Sequence, residues 1–368
     1  MMSFFYLLIA LLLLSAPTCI ALPPLPWIQE RADKLERNGK KLITEDFTGD
    51  PDSFRRQPVV SNSQGIDITY LGSGGFLFQR DTTAILTAPY FSNESLQRVG
   101  VWSIEADTAT IDQYRPDLKA VQAILVGHPH YDHLLDVPYV WKKHAPHTRV
   151  FGNQSMANIL DSAVPKTNLH VLDNEVRVDK NSGAFVSSHG GLIQFMPLHS
   201  SHAPNIRIPL MDIEYLIAPR SVDEPLDEVP QQARDWRLGE TLAYIIDFRA
   251  ASDTAKVEFR IYYQDAGHMP ESWHLPADGR RVDLAIVTVA SANFIGQGEY
   301  IQTIRDSLRP RHWLLGHWED FFQPYSQNPE EIYSVPFTNT ESFVDTLIGR
   351  GIGGDEWVLP TPGTKLAY

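Results

Sequence analysis

Three histidines and an aspartate fall within six residues in the stretch His128-Pro129-His130-Tyr131-Asp132-His133. In a loop leaving a strand, side chains at i and i+2 converge on one point, while the next two residues turn toward a neighbouring point. Neutral imidazole nitrogens bind zinc at about 2.0–2.1 Å, and carboxylate oxygen is also accepted. One short segment therefore offers the beginnings of two adjacent metal sites. A solvated His-rich loop would have the same composition but would not need the apolar strand in front of it. Cys19 is the only cysteine, and it falls in a segment that reads as a leader. Any metal must then be held by histidines and carboxylates.

The elements that position this stretch are legible around it. Val121 to Val126 is a short apolar run ending at Gly127, the pattern of a buried strand. Upstream, Ile66 to Leu71 alternates apolar and polar residues as a half-buried strand does. Gly72-Ser73-Gly74-Gly75 reads as a hairpin turn into Phe76–Phe78 and then Ala84–Thr87, so the domain opens as a β-meander. The Gly-rich turn lacks the Lys and Ser/Thr of a phosphate loop. Residues 92–120 read as an irregular excursion. Leu134 to Lys143 has helical spacing interrupted by Pro138, Val150–Asn153 reads as a strand and Ser155–Ser162 as a helix. Further strands are expected at Gly191–Leu198, Thr241–Phe248, Val257–Gln264 and Leu284–Ala290, with a Pro- and acid-rich loop over 219–239 and a helix over Tyr300–Ser307. This alternation indicates a layered α/β domain.

The stretch at His128 resembles the H-x-H-x-D-H motif of the metallo-β-lactamase superfamily, and the resemblance runs from about Ile66 to Phe322. It implies a four-layer αββα sandwich with metals at one edge of the two sheets. It also implies three further ligands. Two histidines, His199 and His202, compete for the third motif; the His202-Ala203-Pro204 context favours His202. Asp265, at the end of Arg260-Ile261-Tyr262-Tyr263-Gln264-Asp265, matches the bridging aspartate. His317 matches the last ligand, whereas His312 lies at the wrong end of its strand. By the resemblance, His128, His130 and His202 would hold one Zn2+ ion, Asp132, His133 and His317 a second, and Asp265 would bridge. Ala88 stands where many members carry an early Asp that supports the ligand loops.

Two metals about 3.5–4 Å apart can hold a hydroxide at neutral pH that attacks carbon or phosphorus. Asp132 is then the expected catalytic residue, orienting the nucleophile or passing a proton. The layout and the His317–Phe322 run look like the branch that includes N-acyl phosphatidylethanolamine phospholipase D and related phosphodiesterases. The expectation is therefore a phosphodiester or lipid-like small substrate. A lactonase or carboxylic-ester hydrolase is the nearest alternative, and an iron-dependent oxidoreductase or a non-catalytic binding protein is a different class on the same fold. Of the remaining histidines, His144 and His147 read as surface residues, His268 as a possible neighbour of the site, and His170, His189 and His274 as bland. Asn93 and Asn153 lie in N-glycosylation sequons.

The chain has 368 residues, 43% hydrophobic and 21% charged, enough for a large core. Its formal charge of -14 opposes polyanions, so no nucleic-acid partner is expected. Residues 1–21 carry no charge, and Phe4–Leu14 is an apolar run too short to span a bilayer. This reads as a signal peptide ending at Ala21, though the usual leading positive charge is missing. A secreted or periplasmic protein is expected, with an N-terminal membrane anchor and membrane proximity as the alternative. Residues 22–65 form a polar lead-in, and the metal-binding domain occupies 66–368.

Overall fold

The computed structural model describes residues 65–177, 183–203, 220–268, 275–336 and 338–368. The expected leader, all but the last residue of the lead-in, and His274 lie outside the described residues. The first sheet takes β1 (Asp67–Gly72), β2 (Gly75–Arg80), β3 (Thr83–Thr87), β4 (Val121–Leu125), β5 (Arg149–Gly152) and β6 (Leu169–Val171) in chain order. The second takes β7 (Val186–Ser187), β8 (Ile193–Ser200), β9 (Thr241–Arg249), β10 (Val257–Tyr263), β11 (Leu284–Thr288), β12 (His312–Gly316) and β13 (Trp357–Val358). Strand β14 (Lys365–Ala367) returns to pair antiparallel with β1, so the chain's last residues cover that edge of the first sheet.

Three apolar layers make this a four-layer αββα sandwich. Between the sheets lie Phe76, Phe78 and Leu125 from the first and Phe195, Tyr244, Ile261, Tyr263 and Leu314 from the second. Each such fully buried large side chain contributes on the order of 1.5–3 kcal/mol. The outer face of the first sheet (Leu86, Ile124, Val150) is covered by α1 (Leu96–Val101), α2 (Thr108–Tyr114), α3 (Tyr131–Leu134), α4 (Val137–His144) and α5 (Gln154–Leu160). The outer face of the second (Ala243, Ile245, Ala285, Leu315) is covered by α6 (Gln297–Leu308) and α7 (Thr340–Gly349).

Two expectations change in detail. Pro138 does not interrupt a helix but begins one: it sits in the first turn of α4, where its missing N–H has no partner to lose. The 92–120 excursion contains α1 and α2, started by Ser95 and Asp107 side chains that accept backbone N–H groups. At six and seven residues, these helices are too short to show a periodic signal. No helix among the described residues is long and apolar enough to cross a membrane.

Candidate metal centre

The strand directions bring the ligands to one edge. Strand β3 runs parallel to β4, and β10 parallel to β11 and β12; β8, two antiparallel steps from β10, points the same way. The carboxyl ends of β4, β8, β10 and β12 therefore meet, and His128, His202, Asp265 and His317 follow those ends. The two sheets are stitched there: Leu242 N–H donates to the Gly127 carbonyl at 2.8 Å, and the Tyr244 hydroxyl to the Val126 carbonyl at 2.7 Å. The loops after β8 and β10 are tied by Ala203 N–H to the Ala266 carbonyl at 2.9 Å and by the Gln264 amide to Ser200 Oγ at 2.8 Å.

All seven expected ligands come together. Three sets offer ligand atoms within 4.8 Å of one another: His128, His130 and His202; Asp132, His133 and His317; and, between them, His128, His133 and Asp265. Asp265 turns one oxygen to each side, Oδ1 at 3.1 Å from His128 Nδ1 and Oδ2 at 3.4 Å from His133 Nδ1. Asp132 Oδ2 lies 3.2 Å from His133 Nε2 and 3.3 Å from His317 Nε2. His128 Nε2, His130 Nε2, His133 Nδ1 and His317 Nδ1 are buried without hydrogen-bond partners. The buried His128 and His130 nitrogens are costly unless something occupies them, while His133 and His317 turn their Nε2 atoms to Asp132; nitrogen and carboxylate donors gathered in this way fit metal ions. His202 Nδ1 lies 2.8 Å from the Ala203 carbonyl, which can only accept; the proton therefore sits on Nδ1 and leaves Nε2 for a ligand.

The electrostatics favour ligation on the three-histidine side. Burial pushes His128 and His130 below the ordinary imidazole range, helped by neighbouring histidines, and takes His202 down to about 3. These rings are neutral, as a ligand must be. Burial works against Asp265, but His133 and His128 outweigh it and hold the carboxyl at about 2. Burial likewise opposes ionisation of Asp132, and His133 and His317 overcome it and keep it well below the carboxylate range. His133 is raised because Asp132 and Asp265 outweigh its burial.

The choice between His199 and His202 is decided by the length of β8. The strand continues through Ser200, so His199 pairs opposite Leu242 and its Nε2 meets Glu240 at 2.7 Å, outside the ligand sets. His312 begins β12 at the far end from the site. His144 lies 2.7 Å from Asp112, which the Tyr139 hydroxyl also reaches, while His147 and His189 are exposed and His170 stacks on Phe151. His268, half-buried just beyond Asp265, belongs to no ligand set among the described residues. Asn153 is buried and caps α5, accepting Met156 N–H at 2.7 Å, so its sequon is closed to glycosylation in the folded chain.

Other residues of the site escaped the sequence reading. The β1–β2 turn is a hairpin, but its tip is packed into the ligands: a Cβ on Gly74 would lie 2.6 Å from His133 Nδ1. Ser73 Oγ donates to the Asp132 carbonyl at 3.2 Å, and the Tyr263 hydroxyl to Asp265 Oδ2 at 2.9 Å. The missing early aspartate has a physical counterpart elsewhere. Asp136, wholly buried, accepts the Phe91 and Ser92 N–H groups at 2.6 and 3.0 Å and holds the loop that follows Ala88. The signal available in the sequence was the cluster of three glycines at a strand end, a mark of close backbone approach.

The family described as the beta-lactamase superfamily domain matches residues 85–318, well over half of the chain and a span that includes all seven candidate ligands. No curated protein matches the sequence. Among solved structures, the chain is similar to Igni18, a metallo hydrolase of Ignicoccus hospitalis, at 13% identity and a TM-score of 0.45, covering 83% of this chain and 98% of that one. It is also similar to the metallo-beta-lactamase fold protein YhfI of Bacillus subtilis, at 13% identity and a TM-score of 0.44, covering 83% of this chain and all of the other. The chain, with its sandwich fold, belongs to the beta-lactamase superfamily.

Proposed function

We propose that this chain is an exported, binuclear zinc hydrolase acting on a phosphodiester or lipid-like substrate. The observation that carries the two-ion reading is Asp265, whose two oxygens face separate ligand sets. His128, His130 and His202 would hold one ion, and Asp132, His133 and His317 the other, with Asp265 between. A metal pair bound there supplies Lewis-acid polarisation and lowers the pKa of water.

The chain's own residues do the rest. The ionised Asp132 carboxylate orients the attacking water against the scissile bond and passes its proton on to the leaving oxygen, so the carboxylate is regenerated. Tyr263 fixes the Asp265 carboxylate through its hydroxyl. Tyr131, Tyr90, Phe321 and Phe322 form a run of ring contacts beside His317, with centroids 4.5–6.3 Å apart. Tyr90, Tyr131 and Phe321 are buried in the core, so these rings back the His317 side of the site and exclude water from it; the lipid-like reading rests on the resemblance in layout.

The test is metal analysis of the mature protein and turnover of a phosphodiester, a lactone and an aryl ester, with and without chelator. Two zinc ions per chain and chelator-sensitive turnover of the phosphodiester are expected. Turnover confined to the lactone or ester moves the assignment to that class, and iron in place of zinc moves it to oxidative chemistry. Activity retained by metal-free His128→Ala protein overturns the mechanism.

A further inference from the structure

Glu319 is buried, 3% exposed, two residues beyond the ligand His317. Its Oε2 accepts the Tyr70 hydroxyl and its Oε1 the Ser73 N–H. The Tyr70 oxygen in turn accepts the His317 N–H at 2.8 Å. Ser73 Oγ reaches the Asp132 carbonyl and lies 3.4 Å from His317 Nε2. Ser73 and His317 have φ of 50° and 54°, left-handed values that residues other than glycine adopt only when their surroundings impose them. The Glu319 carboxylate is the group common to both. These contacts reach Asp132 and His317. The loop carrying His202 is anchored separately, through Ala203–Ala266 and Ser200–Gln264.

We propose that Glu319 is a positioning residue that clamps the β1–β2 turn onto the His317 loop and so builds the Asp132/His133/His317 subsite, while the three-histidine subsite forms without it. The clamp would make the two subsites energetically separable, with occupancy of the second depending on a carboxylate that touches no ion. This inference rests on the two-ion reading above. It would act through orientation: ligand placement must hold within about 0.2 Å for a productive metal bond, and loss of such outer partners costs 10–100-fold in metal affinity.

The experiment is titration of the metal-stripped full chain with Co(II), followed by calorimetry and visible absorption, on wild type, Glu319→Gln, Glu319→Asp and Tyr70→Phe. Wild type is expected to take two ions. Glu319→Gln should keep the first with unchanged affinity and spectrum and bind the second at least 10-fold more weakly. Tyr70→Phe should change in the same direction, and Glu319→Asp should recover part of the loss. Thermal melts report folding, and Tyr70→Phe carries the test if Glu319→Gln does not fold. Native affinity for both ions in Glu319→Gln and Tyr70→Phe, or equal weakening of both ions, overturns the clamp while leaving the two-ion reading intact. A wild-type chain that takes a single ion overturns both.

Discussion

Gly127 offers a sharp probe of how Asp265 is held. It is the last residue before the ligand stretch, and it does not occupy the left-handed region, so alanine there meets no backbone penalty. The added Cβ would lie 2.2 Å from Asp265 Oδ1 and 2.6 Å from its Cγ and Oδ2. Ordinary contact begins near 3.4 Å, so roughly 1.2 Å must be found by moving one group or the other. Neither moves freely. The Gly127 carbonyl is held by Leu242 N–H, and the Asp265 carboxylate by His128 on one oxygen and Tyr263 on the other. Overpacking of this kind costs about 1–3 kcal/mol, less than the roughly 5–15 kcal/mol that keeps a domain folded. The fold should therefore survive while the carboxylate is displaced by about 1 Å, an error that costs on the order of 10²-fold in rate. We expect Gly127→Ala to lose about 10²-fold in kcat/KM on whichever substrate the wild type turns over, to retain less metal after dialysis, and to melt only a few degrees lower. The assays are steady-state kinetics, elemental analysis and calorimetric melting on the same preparation. Wild-type activity together with wild-type metal content would refute the placement of Asp265 against the Gly127 backbone.

His202→Ala should lose metal by more than the 10–100-fold that outer partners cost, whereas His199→Ala should bind as wild type does; elemental analysis of both variants checks the assignment. Asn153→Ala removes the cap of α5 and leaves the Leu238 carbonyl without its amide donor. A loss of about 2–3 kcal/mol is expected in urea unfolding, from the cap and the orphaned acceptor together. Mass spectrometry of protein from a glycosylating host should find Asn153 unmodified. Burial raises Asp136 from 3.8 to about 6, against the donors Ser92 and Phe91. The folded state then binds the extra proton, so this stabilisation is complete below the unfolded pKa near 3.9 and is lost as pH rises through about 6. The stability of wild type relative to Asp136→Asn should therefore fall between pH 4 and pH 6.5 in urea titrations; a constant or rising difference contradicts the assignment.

Much of the site was legible because its signals are local. His128 to His133 supplies four candidate ligands from six residues, and the strand before it was visible as an apolar run. Asp265 and His317 could be placed because each follows an apolar strand and keeps the order of the resembled family. His202 over His199 was harder, since a strand boundary set by pairing decides it: β8 runs on through Ser200 opposite Thr241, and that register carries His199 away. The six-residue helix α1 and the returning strand β14 gave little signal because the contacts that stabilise them are not local.

The sequence by itself determined the chemistry on offer: nitrogen and carboxylate ligands, no thiolate once Cys19 is set aside, and a layered α/β scaffold to carry them. Only the tertiary structure decided how those ligands are held. Glu319 meets Ser73 across 246 residues, and the oxygens of Asp265 divide between His128 and His133, more than 130 residues away. Such contacts are fixed by sheet register and by where two sheets meet. They depend on distances in space that no local pattern of residue types encodes.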